Sequence, residues 1–131
     1  PFEEAKPFCE LAKFKSVSPI LLVAPNTPNE RIQKISALAG DLIYAVSILG
    51  ITGNDLASKD ALQEYLNRVR KNSVTPFVVG FGISTRDDVV WFNQHSDGAV
   101  VGSAIIKNMN GSSNPIETTK NLIQGLKGII S

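Results

Sequence analysis

The segment Phe77-Val78-Val79-Gly80-Phe81-Gly82-Ile83-Ser84-Thr85-Arg86-Asp87 passes from an unbroken apolar run, through two glycines, straight into a helix-opening pattern. An apolar run without polar alternation fits a strand buried on both faces, the habit of a parallel sheet covered by helices; Val content and flanking Gly favour strand over buried helix. Three further runs have the same character, at 20–24 (Ile-Leu-Leu-Val-Ala), 42–46 (Leu-Ile-Tyr-Ala-Val) and 99–101 (Ala-Val-Val).

Helical patterns lie between and around these runs. Over 2–13, Phe2, Ala5, Phe8, Cys9 and Ala12 fall on one apolar stripe. Thr27-Pro28-Asn29-Glu30 supplies an N-cap, a first-position proline and an early glutamate, with Ile32, Ile35 and Leu38 as the buried face of a helix over 28–38. Ser58 caps a helix in which Leu62, Tyr65, Leu66 and Val69 repeat at helical spacing. Ser84-Thr85-Arg86-Asp87 opens a helix over 86–94, where Asp87 and Asp88 serve the first turn. Asn114-Pro115-Ile116-Glu117 repeats the capping signature ahead of Leu122, Ile123, Leu126, Ile129 and Ile130. The order α-β-α-β-α-β-α-β-α means βαβ units with right-handed crossovers. Two architectures fit: an open doubly wound sheet, or part of a (β/α)8 barrel, which in full runs to about 250 residues and of which four strands supply half.

Composition narrows the function. The 131 residues are 43% apolar and 19% charged, and 13 basic residues against 12 acidic ones leave a net charge of +1. That excludes a disordered chain, and the near-zero net charge argues against general nucleic-acid binding, which needs a clustered basic face. No apolar stretch approaches the roughly 20 residues of a membrane span. The lone Cys9 forms no internal disulfide and fits a reducing compartment. No signal peptide is visible, and the chain opens abruptly, without Met, on a helical first turn at Pro1-Phe2-Glu3-Glu4.

In α/β proteins ligands bind beyond the carboxyl ends of the strands. After the second run, the connection from Ser47 to about Ala57 exceeds the roughly 2–6 residues of an ordinary βα loop, which reads as a lid or ligand-contact loop, or as a merely variable one. After the third run, Gly80-Phe81-Gly82-Ile83-Ser84 lets the backbone turn tightly and approach a ligand, with a helix start that favours an anion. After the fourth, Gly102-Ser103-Ala104 leads into a short helical stretch, Ile105 to Asn108. Two such turns on successive strands form a pattern that barrels use for phosphate. Other chemistry is scarce. His95 sits at a helix end, Cys9 on a core stripe, and Asp55 and Asp60 in a solvated region near the mouth. Tyr44, inside a strand, either packs in the core or points into the mouth. Neither a metal-ligand spacing nor a nucleophile elbow is present.

At these turns the sequence resembles the tryptophan synthase alpha chain family, the indole-3-glycerol-phosphate lyases of tryptophan biosynthesis. The matching pieces are Pro1-Phe2-Glu3-Glu4, Ala24-Pro25-Asn26, Tyr44-Ala45-Val46-Ser47, Gly50-Ile51-Thr52-Gly53, Gly80-Phe81-Gly82-Ile83-Ser84 and Asp97-Gly98-Ala99-Val100-Val101-Gly102-Ser103-Ala104-Ile105. They run in the family's order and spacing across the chain, departing mildly at Ile48 and Leu49 in the lid. The resemblance implies a (β/α)8 barrel of which residues 1–131 supply about strands five to eight, the C-terminal half of one domain.

It also implies roles. Gly82, Gly102 and Ser103 would offer backbone N–H groups to the substrate phosphate, with Phe81 and Ile83 beside them, and Gly53 would join when the lid closes. Thr52 would help order the catalytic aspartate, Tyr44 would lie near the indole portion, and Leu22 would form part of the apolar wall. The family's two catalytic carboxylates, a Glu on the second strand and an Asp in the loop after it, fall before residue 1, so none is expected here. The implied reaction is retro-aldol cleavage of indole-3-glycerol phosphate to indole and glyceraldehyde 3-phosphate, without metal or organic cofactor on this subunit. The pyridoxal phosphate would belong to the beta chain, the implied partner in an α2β2 heterotetramer, met at the face of the strand C-termini with Pro1-Phe2-Glu3 bordering the contact. The implied location is the cytoplasm, or the plastid in a plant. Two other readings stay open: a non-catalytic phosphate-binding half-barrel that pairs with itself, and another phosphate-binding barrel enzyme.

Overall fold

The computed structural model describes residues 2–47, 58–80 and 82–130. In chain order the elements are α1 (Phe2–Phe14), β1 (Leu21–Val23), α2 (Asn29–Leu38), β2 (Ile43–Val46), α3 (Lys59–Asn72), β3 (Phe77–Gly80), α4 (Arg86–His95), β4 (Ala99–Val100), α5 (Ser103–Met109) and α6 (Pro115–Lys127). The strands are parallel and stand in sequential order β1-β2-β3-β4. This order decides between the two architectures. A doubly wound sheet reverses its strand order so that helices fall on both faces. A sheet that always steps in one direction, with crossovers of one hand, stacks every helix on one face and curls towards a barrel.

Burial follows that geometry. Val23, Ala45 and Val79 share one register row and Ile43 and Phe77 another; all are buried against Ile32, Ile35, Leu62, Leu66, Val69 and Phe92 of the helices. The opposite face carries Leu22, Tyr44 and Val78 in one row and Val46, Gly80 and Val100 in the next. Here Leu22 is 62% and Val100 38% exposed. The expectation of strands buried on both faces is therefore corrected: helices cover one face, and the face a barrel would turn inward is open.

Local chemistry explains the elements. Ser58 accepts from Ala61 N at 3.1 Å, and Leu62, Tyr65, Leu66 and Val69 form the buried stripe of α3 as its spacing predicts. Thr85 and Asp88 form a reciprocal capping box at the start of α4. Partial burial pulls the Asp88 carboxyl upward, but hydrogen bonds from Thr85 and from the Thr85 and Ser84 N–H groups, with the Lys59 charge, outweigh it and hold the carboxyl below its ordinary value. Its support for α4 is thus present above about pH 4 and lost as pH falls through that depressed value. Asn114 caps α6 through Glu117 N, and Gly128 ends it in the left-handed conformation (φ 72°).

Three helix expectations need correction. Thr27 does not cap α2; its hydroxyl accepts from Ala24 N at 2.9 Å inside the β1–α2 turn, and Pro28 occupies the cap without a side-chain bond. Phe8 lies 67% exposed although Cys9 beside it is buried, because α1 flanks the edge strand β1 and packs only part of its apolar stripe. On α6 only Leu126 is buried; Ile123, Ile129 and Ile130 are exposed, the last two because the helix ends at Lys127.

The strand ends opposite the glycine turns are tied by polar side chains. Ser36 of α2 is buried and its hydroxyl accepts from Val74 N (3.0 Å), Thr75 N (3.1 Å) and Ser73 Oγ (3.0 Å). Asp97 accepts from Phe77 N (2.9 Å) and from Arg70 Nη1, whose guanidinium lies 4.6 Å from the Phe77 ring centre. Ser36→Ala is expected to destabilise the chain by about 1–2 kcal/mol by leaving two N–H groups short of an acceptor. A lower urea midpoint at unchanged slope is the readout; an unchanged midpoint would show that water replaces the hydroxyl.

Candidate functional site at the strand C-termini

Residues from three strand ends converge on one cavity of about 280 Å³, lined by Tyr44, Gly82, Ile83, Val100, Gly102 and Ser103. Tyr44 enters from β2 on the open face. Its phenol occupies the space a Cβ on Gly80 would fill, so the glycine in the neighbouring strand is what lets the ring lie flat across the sheet. Gly82 sits in the left-handed region (φ 73°), which glycine adopts without strain, and turns the chain from β3 towards the α4 cap. Ile83, 2% exposed, anchors that turn in the core. Gly102 is the N-cap of α5, and a Cβ there would meet nothing within 4 Å, so its backbone faces open space. The N–H groups of Ser103 and Ala104 come ahead of the first helical bond of α5, which Ile105 N makes to the Gly102 carbonyl at 3.0 Å. Ser47 closes the end of β2: buried, it donates from Oγ (3.2 Å) and from N (3.0 Å) to the Gly80 carbonyl.

Five expected site residues are thus brought together: Tyr44, Gly82, Ile83, Gly102 and Ser103. Leu22 is not among them. It lies on the same sheet face, but on the edge strand β1, and lines a separate groove with Phe2, Thr27 and Arg31. Thr52, Gly53 and Asp55, with the rest of the 48–57 connection, and Phe81 lie outside the described residues. Asp60 is exposed in the first turn of α3. His95 ends α4 with Nδ1 2.8 Å from the Trp91 carbonyl and its ring stacked 4.2 Å from the indole. Val100 was not foreseen as a lining residue, although a strand period of two places it on the same face as Gly102.

A second cavity, of about 590 Å³, shares Gly82, Ile83 and Ser103 with the first and extends past Ser84, Lys107 and Asn108. A third, of about 760 Å³, lies further out between Arg86 and the end of α6. Neither the first cavity nor the second is lined by a carboxylate among the described residues. Nor does any group of three His, Cys, Asp or Glu among them stand ready to hold a metal, and no described helix is long and apolar enough to cross a membrane.

Sequential parallel strands, helices on one face and a glycine-lined mouth define a (β/α)8-barrel chain of the kind that binds small molecules at its strand C-termini. The family model for "Tryptophan synthase alpha chain" matches residues 1–128. The chain belongs to the tryptophan synthase alpha chain family. Among relatives of that name, the Petrotoga mobilis protein is 42% identical over 113 residues, which cover 86% of this chain and 44% of the relative. The Methanocaldococcus jannaschii protein is 44% identical over 107 residues, covering 82% and 38%. A chain of the tryptophan synthase α2β2 complex of Pyrococcus furiosus superposes with a TM-score of 0.83 at 32% identity, covering 98% of this chain and 52% of that one. A mutant alpha-subunit from the same organism gives 0.82 at 32% with the same coverage. The chain spans about half the length of the curated relatives it matches.

Proposed function

We propose that residues 1–131 form the C-terminal half of a single (β/α)8-barrel domain, and that the full protein cleaves indole-3-glycerol phosphate to indole and glyceraldehyde 3-phosphate. The observation that carries this reading is the meeting of Tyr44, Gly82, Gly102 and Ser103 around one cavity at the strand C-termini. Gly82, Gly102 and Ser103 hold the phosphate through backbone N–H groups. Ile83 stiffens the turn, and Tyr44 lies towards the indole. Phe81, Gly53 and Thr52 complete the mouth and its lid, and Leu22 belongs to the wall of the closed barrel. Gripping the remote phosphate orients the carbon–carbon bond that breaks. The proton transfers of a retro-aldol cleavage need carboxylates, and those come from the other half of the barrel.

No metal or organic cofactor is assigned to this chain. The partner is a tryptophan synthase beta chain, in line with the α2β2 assembly of the Pyrococcus furiosus protein; pyridoxal phosphate belongs to that partner. The place of action is the cytoplasm, or the plastid in a plant.

Titrating the ¹⁵N-labelled chain with glycerol 3-phosphate tests the phosphate site. The amides of Gly82, Gly102 and Ser103 are expected to shift saturably, and glycerol alone to leave them in place. A titration in which these three amides never move ends the reading.

The open sheet face and the edges of β1 and β4, each paired on one side only, favour a second reading, in which two copies close one barrel through β4-to-β1 pairing. Light scattering after size exclusion would then give twice the chain mass in a single sharp peak.

A further inference from the structure

Among the described residues the phosphate cradle proposed above is neutral: it offers backbone N–H groups, and its cavity has no charged lining residue among them. A phosphate monoester carries close to two negative charges near neutral pH, so a neutral cradle leaves that charge to the nearest cation. We infer that Lys107 is the counter-cation of the bound phosphate, and that it makes the site select a dianion over an uncharged polyol of the same shape.

Three observations support this assignment. Lys107 is the one charged residue lining the adjoining cavity among the described residues, and that cavity shares Gly82, Ile83 and Ser103 with the first. Lys107 stands four residues after Ser103 on α5, so the two lie on the same helix face, one turn apart. Helical side chains lean towards the N-terminus of their helix, which carries the long lysine stem back towards Ser103 along the cavity both residues line. Finally, the ion pairs among the described residues join Lys6 with Glu10, Arg70 with Asp97 and Lys120 with Glu117, leaving the Lys107 ammonium uncommitted. A lysine in the last turn of a helix also complements the helix dipole. That role would move stability and leave ligand selectivity and its salt dependence untouched.

The inference rests on the phosphate reading, and its test separates the two. Glycerol 3-phosphate is titrated into the wild-type chain and into Lys107→Gln, Lys107→Arg and Lys120→Gln, at low and at high salt, with circular dichroism as the check on folding. Lys120→Gln makes the same charge change on α6, away from both cavities. At low salt Lys107→Gln is expected to bind about three- to fivefold more weakly than wild type, the size of one partly screened charge interaction, and the gap is expected to close at high salt. Lys107→Arg and Lys120→Gln are expected to stay within about twofold of wild type. Folded Lys107→Gln binding as wild type at both salts overturns the inference and spares the phosphate reading, as does an equal loss in Lys120→Gln. A wild-type chain that binds no glycerol 3-phosphate overturns the phosphate reading and this inference with it.

Discussion

The purified 131-residue chain is expected to release no indole from indole-3-glycerol phosphate above the uncatalysed background. The described carboxylates are all committed elsewhere or remote from the cavity. Asp88 is part of the α4 cap, and Asp97 is bound to Arg70 and Phe77 N at the opposite end of the strands. Asp60 and Asp87 are exposed in the first turns of α3 and α4, and neither cavity at the mouth is lined by an acid. A positioned general acid or base contributes about 10²- to 10⁴-fold, so losing two removes the reaction from a steady-state assay. Mixing the chain with the first four βα units of a relative such as the Petrotoga mobilis protein is expected to restore indole release. Turnover by the chain alone that persists through a second purification step would refute the half-barrel account.

The second large effect is expected at Gly80. Replacing it with Ala puts a methyl group where the Tyr44 phenol lies. The ring must then swing away from β3, and the space beside it is the cavity it shares with Gly82, Gly102 and Ser103. Gly80→Ala is therefore expected to destabilise the chain by about 1–3 kcal/mol and to weaken glycerol 3-phosphate binding by about tenfold or more as the ring fills the mouth. In a Tyr44→Leu background the same substitution meets no phenol, and both losses should largely vanish. A double-mutant cycle in urea measures this coupling, expected at about 1–3 kcal/mol. Additive single effects would mean that the ring does not lie on Gly80.

Both expectations concern residues that the sequence singles out, yet it shows them unequally. The strand-to-helix passage at 77–87 is legible because apolar run, glycine turn and cap are all local. The grouping of Gly82 with Gly102 is legible because successive parallel strands put their C-termini side by side. That Leu22 lines a groove of its own, apart from the glycine-turn cavity, is not legible, because one-dimensional order does not say how far an edge strand stands from the turn it faces. Phe8 was misplaced because an apolar stripe on a helix records what could be covered, and α1 lies at the border of the sheet. Thr27 shows a competition between two nearby donors, the helix start and Ala24 N, and the tight turn after β1 wins. The tie between Ser36 and the 73–75 segment joins positions almost forty residues apart and leaves no periodic trace.

One contact outside the mouth bears on how the chain can be taken apart. Tyr65 of α3 donates from its hydroxyl to the Val23 carbonyl at 3.0 Å, and burial pushes that phenol well above its ordinary value, against the opposing pull of Arg68. One turn on, Arg68 donates to the carbonyls of Thr27 and Pro25 and to Asn29 Oδ1. The turn that follows β1, closed from within by Thr27, is thus also clamped by the helix of the next βα unit. The units are therefore not interchangeable modules. A recombination joint placed between α2 and β2 would strip four acceptors in and beside the 24–28 turn of their donors, the carbonyls of Val23, Pro25 and Thr27 and the Asn29 side-chain oxygen, whereas a joint after α3 would carry turn and clamp together. The smallest transferable piece of this wall is a pair of units.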